Sequence, residues 1–392
     1  MSLKEQIRSL LPNWFWLHSM LSKQKIKQFY RYRITEEDIR EAESDYAKKA
    51  ELVDKLTAQW TQYAIAVDKE IDRILANAPK YIARNDREFL RCDMRFSRFA
   101  YGFQPDEYLC FDLEGKSIDE KRAFVSDLER SKYVCQMNDI VDFTLFMDKA
   151  RTYERFGEFY RREAISVSCR DDLDRFMNFV ESHPVFVRKR TDLSKGDSVE
   201  KVDTKGFGGD RLLSIFDDMV SSGNYIVEEL VCQSATMAAF NSSSVNTIRC
   251  ITFNTEDGIE APYCFMKVGH GGSFVDNAGA GGLLIGVDAE TGILGTDAFD
   301  EFGSRYEFHP DTGVRFKGSQ LPDWQSMLEI CKTASRQIPS VGYIGWDMAH
   351  TDDGWIVIEG NGGGQMIGPQ IVWQHGIKAD VEEIMGRMRL YA

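Results

Sequence analysis

Near the C-terminus, YIGWDMAHTDDGWIVIEGNGGGQM (Tyr343 to Met366) places two apolar runs on either side of Asp352-Asp353-Gly354. That pattern predicts a β-hairpin, and glycine at the last loop position suits a type I turn followed by a left-handed residue. A three-residue loop pairs Thr351 with Trp355 and so sets Asp347 opposite Glu359. Asn361, two residues on, leaves the strand on the same face. Two carboxylates and an amide oxygen then meet beside Gly360 and Gly362-Gly363-Gly364. Hard oxygen donors, too few for a full cage, are what Mg²⁺ takes when phosphate oxygens complete its shell. The alternative is a hairpin whose acids simply face water, but apolar Trp346, Ile356, Val357 and Ile358 around them favour a metal.

Positioning such a group takes strands, and the second half of the chain supplies them. Residues 171–182 have helical character, and Pro184 precedes a strand from Val185 to Arg190 with a basic end. Asn224 to Val231 reads as another strand and carries the adjacent acids Glu228 and Glu229. Asn246 to Phe253 alternates with Arg249 among β-formers, and Asp257-Gly258 turns it into a partner ending at Val268. Two polar turns, Ser194 to Val199 and Lys205 to Gly209, could fold over phosphates through backbone N–H groups, although each alone is an ordinary loop. The glycine-rich stretch from Gly269 to Gly282 contains His270, Asp276 and Asn277. Its Gly279 to Gly286 run lacks the preceding strand and following helix that a dinucleotide loop needs.

The front of the chain is different. Its first 34 residues hold seven Lys or Arg against one acid, with six aromatics interleaved. Such a segment can lie on an anionic membrane surface, dock on a partner, or pack as a helical extension on its own protein. Thr35 then caps a long helix whose apolar residues recur at gaps of three and four from Ile39 to Ile74, ending before Pro79. So long a helix needs a partner: another N-terminal helix, or a second copy in a homodimer. From Asp86 to Ser166 the chain is aromatic-rich without a clear strand ladder.

The totals set bounds. A chain of 392 residues with 43% hydrophobic content can build two or three soluble domains. A net charge of −14 argues against nucleic acid as a partner. No apolar run is long enough for a bilayer, and no signal-peptide cleavage pattern is seen. Eight scattered cysteines without a CxxC pair fit reduced, mostly buried thiols of a cytoplasmic protein.

The order of these signals is more specific than any one of them. Asp148-Lys149, a strand-end Lys189, a Ser-Lys-Gly loop, Glu228-Glu229-Leu230-Val231, Arg249 and the Asp347, Glu359, Asn361 set together resemble the ATP-grasp superfamily. SVNTIRCITF, FVDNAGAGGLLIGVD and GWDMAHTDDGWIVIEGN resemble its sugar-transfer-associated branch, met in polysaccharide and cell-envelope biosynthesis. The resemblance implies an α+β, ATP-grasp fold, two subdomains gripping ATP, preceded here by a helical N-terminal region. The expected division is a helical extension over 1–85, a pre-ATP-grasp region over 86–165, a lid subdomain over 166–235 and a metal-bearing subdomain over 236–392.

It also implies roles. Lys149 and Lys189 would reach the α- and β-phosphates, and Ser194, Lys195, Gly196 and Ser198 would belong to a loop closing over them. Glu228, Glu229, Leu230 and Val231 would form the hinge that reads adenine and ribose. Asp347, Glu359 and Asn361 would hold Mg²⁺, and Arg249 would face the transferring γ-phosphoryl. Asn277 or His270 could hold the incoming group, with a merely structural role as the alternative. Arg249, Lys189 and Asn277 are thus the expected catalytic residues. Departures are Lys189-Arg190 where relatives often have Lys-Pro, a single Gly196 in the lid loop, and Ala235 or Thr236 where His is common.

The activity implied is an ATP- and Mg²⁺-dependent carboxylate–amine ligation through an acyl phosphate, on small-molecule or glycan substrates. It would run in the cytoplasm, or peripherally at the inner membrane surface through residues 1–34. The acceptor pocket is expected between Arg249, the His270 to Asn277 loop and Gly362 to Gln365. A kinase acting on a sugar hydroxyl would use the same cations, and a non-catalytic nucleotide-binding scaffold is the third reading.

Overall fold

The computed structural model describes residues 34–59, 61–192, 199–276, 279 and 281–391. Two antiparallel sheets organise them. The smaller joins β1 (Ala164–Val167), β2 (Val185–Arg190), β3 (Glu200–Asp203) and β4 (Tyr225–Glu229) in the order β1-β4-β2-β3. The larger joins β5 (Thr247–Thr255), β6 (Gly258–Val268), β7 (Leu283–Val287), β8 (Leu294–Phe299), β9 (Arg305–Tyr306), β10 (Tyr343–Thr351) and β11 (Gly354–Asn361), in the order β11-β10-β5-β6-β7-β8-β9.

The small sheet is covered on one face by helices Leu173–Ser182 and Gly209–Ser222, which bury Phe176, Phe179, Phe216 and Met219 against Phe186 and Val227. Alternation then turns Val187, Lys189 and Glu228 to the opposite face, toward the large sheet. The large sheet is covered on both faces. Ile248, Cys250, Cys264, Met266, Trp346 and Met348 pack with helix Trp324–Arg336, whose Met327, Cys331 and Ala334 recur at helical spacing. Ile251, Phe253, Phe265, Leu284 and Tyr343 point the other way, into a core shared with the N-terminal helices and the C-terminal helices Ile367–Trp373 and Lys378–Met385.

The single long helix expected after Thr35 is interrupted: Glu36–Ser44 ends before Tyr46–Gln59 begins, and helical residues Thr61–Asn77 follow. Asp45 breaks the first from the second. Its backbone is extended, and its carboxylate accepts the Ala47 N–H at 2.9 Å, restarting the helix. The apolar stripe survives the break and finds its partner within the chain. Ile39, Ala42 and Val53 pack on Cys92 and Phe96 of helix Arg87–Tyr101, while Val67, Ile71 and Ile74 join Leu90, Met94 and Tyr108. The aromatic stretch after Asp86 forms a series of mostly short helices, with Phe96, Phe103, Tyr108 and Phe111 among its buried residues. The described cysteines are all free thiols, most of them buried.

Candidate active site

The terminal hairpin places its acids as pairs, but by a different route from the expected loop. Thr351 pairs with Gly354 rather than Trp355, so the turn has two residues, Asp352 and Asp353. That register alone would set Asp347 opposite Ile358. A bulge between Met348 and Asp347 absorbs Ile358, and Asp347 then pairs with Glu359 and Gly345 with Asn361. The bulge is held from outside: Arg162 donates to the carbonyls of Val357 (2.6 Å) and Ile358 (3.2 Å).

Register extends the row. Asp347 pairs with Arg249 on β5, and Arg249 with Phe265 on β6, so Glu359, Asp347, Arg249 and Phe265 cross four strands side by side. All four lie on the face away from helix Trp324–Arg336. Arg249 grips Asp347 with both arms, Nε to Oδ1 at 2.7 Å and Nη2 to Oδ2 at 2.8 Å. Lys267, two residues beyond Phe265, sits 3.1 Å from Oδ1, and the Asn361 amide donates to Oδ2 at 3.3 Å. Burial alone would raise the Asp347 carboxyl, but Arg249 and Lys267 outweigh it and hold it down at about 2. Asp276 borders the group 4.0 Å from Lys267 and accepts the Thr247 N–H and hydroxyl; burial, foremost, raises its carboxyl.

Glycine makes room for this row. A Cβ at Gly345 would come within 3.0 Å of Arg249 Cδ, and one at Gly364 within 3.3 Å of its Nη1. At Gly360 a Cβ would press on Trp346 at 2.8 Å and Phe146 at 2.9 Å. Gly360→Ala is therefore expected to destabilise the protein by about 1–3 kcal/mol through overpacking, read as a lower urea midpoint at unchanged slope. The glycines after Asn361 are pinned through their carbonyls: Asn138 donates to Gly362 O (2.7 Å), Arg130 to Gly363 O (2.7 Å) and Tyr343 Oη to Gly364 O (3.0 Å).

A second group gathers where the two sheets approach. Lys149, at the start of helix Lys149–Tyr160, lies 3.2 Å from Glu359, and Lys189 lies 3.0 Å from Glu228. These four line one small pocket with Ile358, Gly360 and Tyr160. Glu228 is buried, and Arg162 donates to the same carboxylate oxygen through Nε (3.0 Å) and Nη2 (2.7 Å). Burial pushes the Glu228 carboxyl up, yet Arg162 and then Lys189 bring it down to about 2. Glu228, like Asp347, is thus an anion kept in place by cations, an arrangement that answers to charge on a ligand. Glu229 accepts the Glu163 N–H at 3.2 Å, and Leu230 and Val231 follow the end of β4.

The residues expected to act are therefore brought together in part. Arg249, Asp347, Glu359 and Asn361 form one cluster, and Lys149, Lys189 and Glu228 another that meets it at Glu359. Ser194, Lys195, Gly196, Ser198 and Asn277 lie outside the described residues, as do residues 1–33. His270 lies in the loop after β6, where its carbonyl accepts the Ser273 N–H. Sequence reasoning passed over Lys267 and Arg162. Lys267 did carry a signal, a lysine inside the apolar run Tyr-Cys-Phe-Met-Lys-Val, whereas Arg162 lies between elements and carried none.

Beyond Arg249 and Lys267 opens a cleft of about 690 Å³. Its far wall is helical: Glu70 and Arg73, Asp106 and Glu107, Asp127 and Arg130. The expected acceptor pocket included Arg249 and Gln365, which do line it, but not these helices. Glu70 and Arg73, from the expected N-terminal extension, and Asp106, Glu107, Asp127 and Arg130, from the expected pre-ATP-grasp region, thus share a wall of this cleft.

Among curated proteins none matches the chain. Solved structures show a low-identity likeness: the D-alanine-D-alanine ligase from Coxiella burnetii (11% identity, TM-score 0.40, 64% of this chain and 59% of that one). VanG D-Ala:D-Ser ligase from Enterococcus faecalis is similar at 14% (TM-score 0.41, 64% and 63%). ATP-grasp ligase PsnB complexed with its minimal precursor is similar at 11% (TM-score 0.39, 64% of each). The chain spans less than two thirds of the length of each. The sugar-transfer associated ATP-grasp family model matches residues 128–386, from the helix bearing Arg130 through both sheets to the last helix. With two sheets facing each other across a lysine-lined pocket, and that match over more than half its length, the chain is a member of the sugar-transfer associated ATP-grasp family.

Proposed function

We propose that the protein is an ATP- and Mg²⁺-dependent carboxylate–amine ligase working through an acyl phosphate, in a polysaccharide or cell-envelope setting. The observation that carries this reading is the meeting of Lys149, Lys189, Glu228 and Glu359 in one pocket beside the Arg249–Asp347–Lys267 row, with the wide cleft on the far side of that row. Nucleotide belongs with the lysines and acceptors belong in the cleft, so a phosphoryl group passing between them meets Arg249 and Lys267. The family's link to sugar transfer supports a glycan-related substrate.

The donor set bears on the metal. Among the described residues no three His, Cys, Asp or Glu side chains are gathered to hold an ion by themselves. Glu359 and Asn361 stand beside Asp347, whose oxygens Arg249 and Lys267 already share. That set fits Mg²⁺ arriving with nucleotide phosphates better than a permanent protein cage. When bound, Mg²⁺ would neutralise phosphate charge, with Glu359 and Asn361 as its ligands and Asp347 as the third.

In the reaction, a carboxylate oxygen attacks the γ-phosphorus and the bond to the β-phosphate oxygen breaks, releasing ADP. The amine lone pair then attacks the acyl carbon, phosphate leaves, and the amine nitrogen gives up a proton. Arg249, its planar guanidinium held in place by Asp347, offers its free edge to the transferring group, and Lys267 adds a point charge.

The test is isotopic. With ¹⁸O in the substrate carboxylate, one label should appear in inorganic phosphate, and only when amine, ATP and Mg²⁺ are all present. Phosphate left on a sugar hydroxyl would make the protein a kinase and refute the ligase. Glu359→Gln, which keeps shape and removes charge, should lower ADP release by about 10²–10³-fold. Near-normal turnover would remove Glu359 from the site. No helix among the described residues is long and apolar enough to cross a membrane. Vesicle binding with and without residues 1–34 would test peripheral attachment.

A further inference from the structure

β11 is the last strand of the large sheet, so along one edge it has no neighbouring strand to satisfy its carbonyls. Arg162 satisfies two of them, with Nη1 donating to Val357 O at 2.6 Å and Nη2 to Ile358 O at 3.2 Å. In a regular strand successive carbonyls point to opposite edges, and one guanidinium could not reach both from the same side. Both are reached here, where the bulge interrupts the ladder. The same side chain also grips the small sheet. Its Nε and Nη2 donate to one oxygen of Glu228 at 3.0 and 2.7 Å, the oxygen that Lys189 contacts at 3.0 Å. Arg162 is buried between helix Lys149–Tyr160 and β1, with its guanidinium carbon over the Tyr160 ring, 4.7 Å from the centre.

The consequence concerns Glu359. The extra residue in β11 must lie between the turn and Glu359 for Glu359 to stand opposite Asp347. Moved past Glu359, it would leave Asp347 opposite Ile358 and turn Glu359 to the apolar side under helix Trp324–Arg336. We propose that Arg162 is a positioning residue for Glu359. By holding the carbonyls of Val357 and Ile358 it fixes the bulge where Glu359 joins Asp347 and Asn361. By holding Glu228 it ties that register to the small sheet, so one guanidinium sets both the metal-facing acid and the hinge acid. The inference rests on Glu359 as a ligand of the nucleotide-borne metal and adds to that reading a residue from outside both hairpin strands.

The test uses Mn²⁺ as a paramagnetic substitute for Mg²⁺, titrated into the full chain with a non-hydrolysable ATP analogue and followed by water proton relaxation. Arg162→Lys keeps the charge but cannot span Glu228 and both carbonyls, and it should weaken Mn²⁺ binding by about tenfold or more. In a chain lacking Ile358 there is no bulge to hold, so Arg162→Lys should there change Mn²⁺ affinity by less than about twofold. Should Arg162→Lys fail to fold, Arg162→Met with Glu228→Met removes both buried charges, and should bind Mn²⁺ about tenfold more weakly than Glu228→Gln alone. Unchanged Mn²⁺ affinity in a folded Arg162 variant, or the same loss with and without Ile358, would overturn the assignment. Glu359→Gln separates this failure from that of the metal reading. If it weakens Mn²⁺ while Arg162→Lys does not, Arg162 alone is wrongly assigned; if Glu359→Gln binds Mn²⁺ as the wild type does, the metal reading falls and this inference with it.

Discussion

Arg249→Ala is expected to lower the rate of ADP release by about 10³-fold while shifting ATP affinity by less than about threefold. Arg249 belongs to the row between the two pockets rather than to the lysine pocket, so its loss should be felt when charge moves, not when nucleotide docks. Its guanidinium is set in advance by two hydrogen bonds to Asp347 and by the bare flanks of Gly345 and Gly364. Little entropy is then lost during the chemical step. Asp347 keeps Lys267 at 3.1 Å after the change, which limits the structural damage. Arg249→Lys should recover only part of the rate, because a single ammonium cannot reproduce the planar fork. Pre-steady-state ADP release and equilibrium binding of an ATP analogue separate the two effects. A collapse of affinity with the rate preserved would move Arg249 out of the reacting region.

Glu228→Gln should have the largest effect on stability. It leaves Arg162 and Lys189 facing a neutral amide in a buried place, and breaking such a group costs about 3–5 kcal/mol. Removing charge on both sides with apolar residues of similar size, as in Arg162→Met with Glu228→Met, should recover part of that loss. The pH dependence has a definite sign. The folded Glu228 carboxyl is held at about 2, below its ordinary 4.5, so its stabilisation is complete above the ordinary value. It is lost as pH falls from about 4.5 toward about 2. The wild-type melting temperature should therefore drop across that window, and the Gln variant should show a shallower drop. Parallel curves would show that Glu228 does not set the acid limit.

What could be read without coordinates followed from local rules. Period-two alternation put Asp347, Glu359 and Asn361 on one face, and Arg249 stood out as a charge among β-formers. The small sheet was legible for the same reason at Val185 to Arg190 and at Glu228. Two things were not. The acid pairing was reached through a loop that does not form, since a two-residue turn and a bulge restore the same partners. No local pattern in WIVIEGN marks the bulge, because the Arg162 side chain that holds it is distant in sequence. The N-terminal stripe showed that a helical layer exists but not where it lies. Its break at Asp45 depends on one side chain capping Ala47, and its approach to the sheet depends on Leu90, Met94 and Tyr108 meeting Phe253 and Phe265.

The irregularity at Ile358 separates two demands that a regular strand would set against each other. In an even ladder neighbouring residues look in opposite directions, so a greasy surface and an acid could not adjoin on one side without a gap between them. Here Ile358 and Glu359 both border the lysine pocket. Deleting Ile358 alone would give an unbroken ribbon in which Asp347 still meets Glu359, stripping away the apolar neighbour and nothing acidic. Such a shortened chain would report how much of nucleotide grip comes from contact and how much from charge.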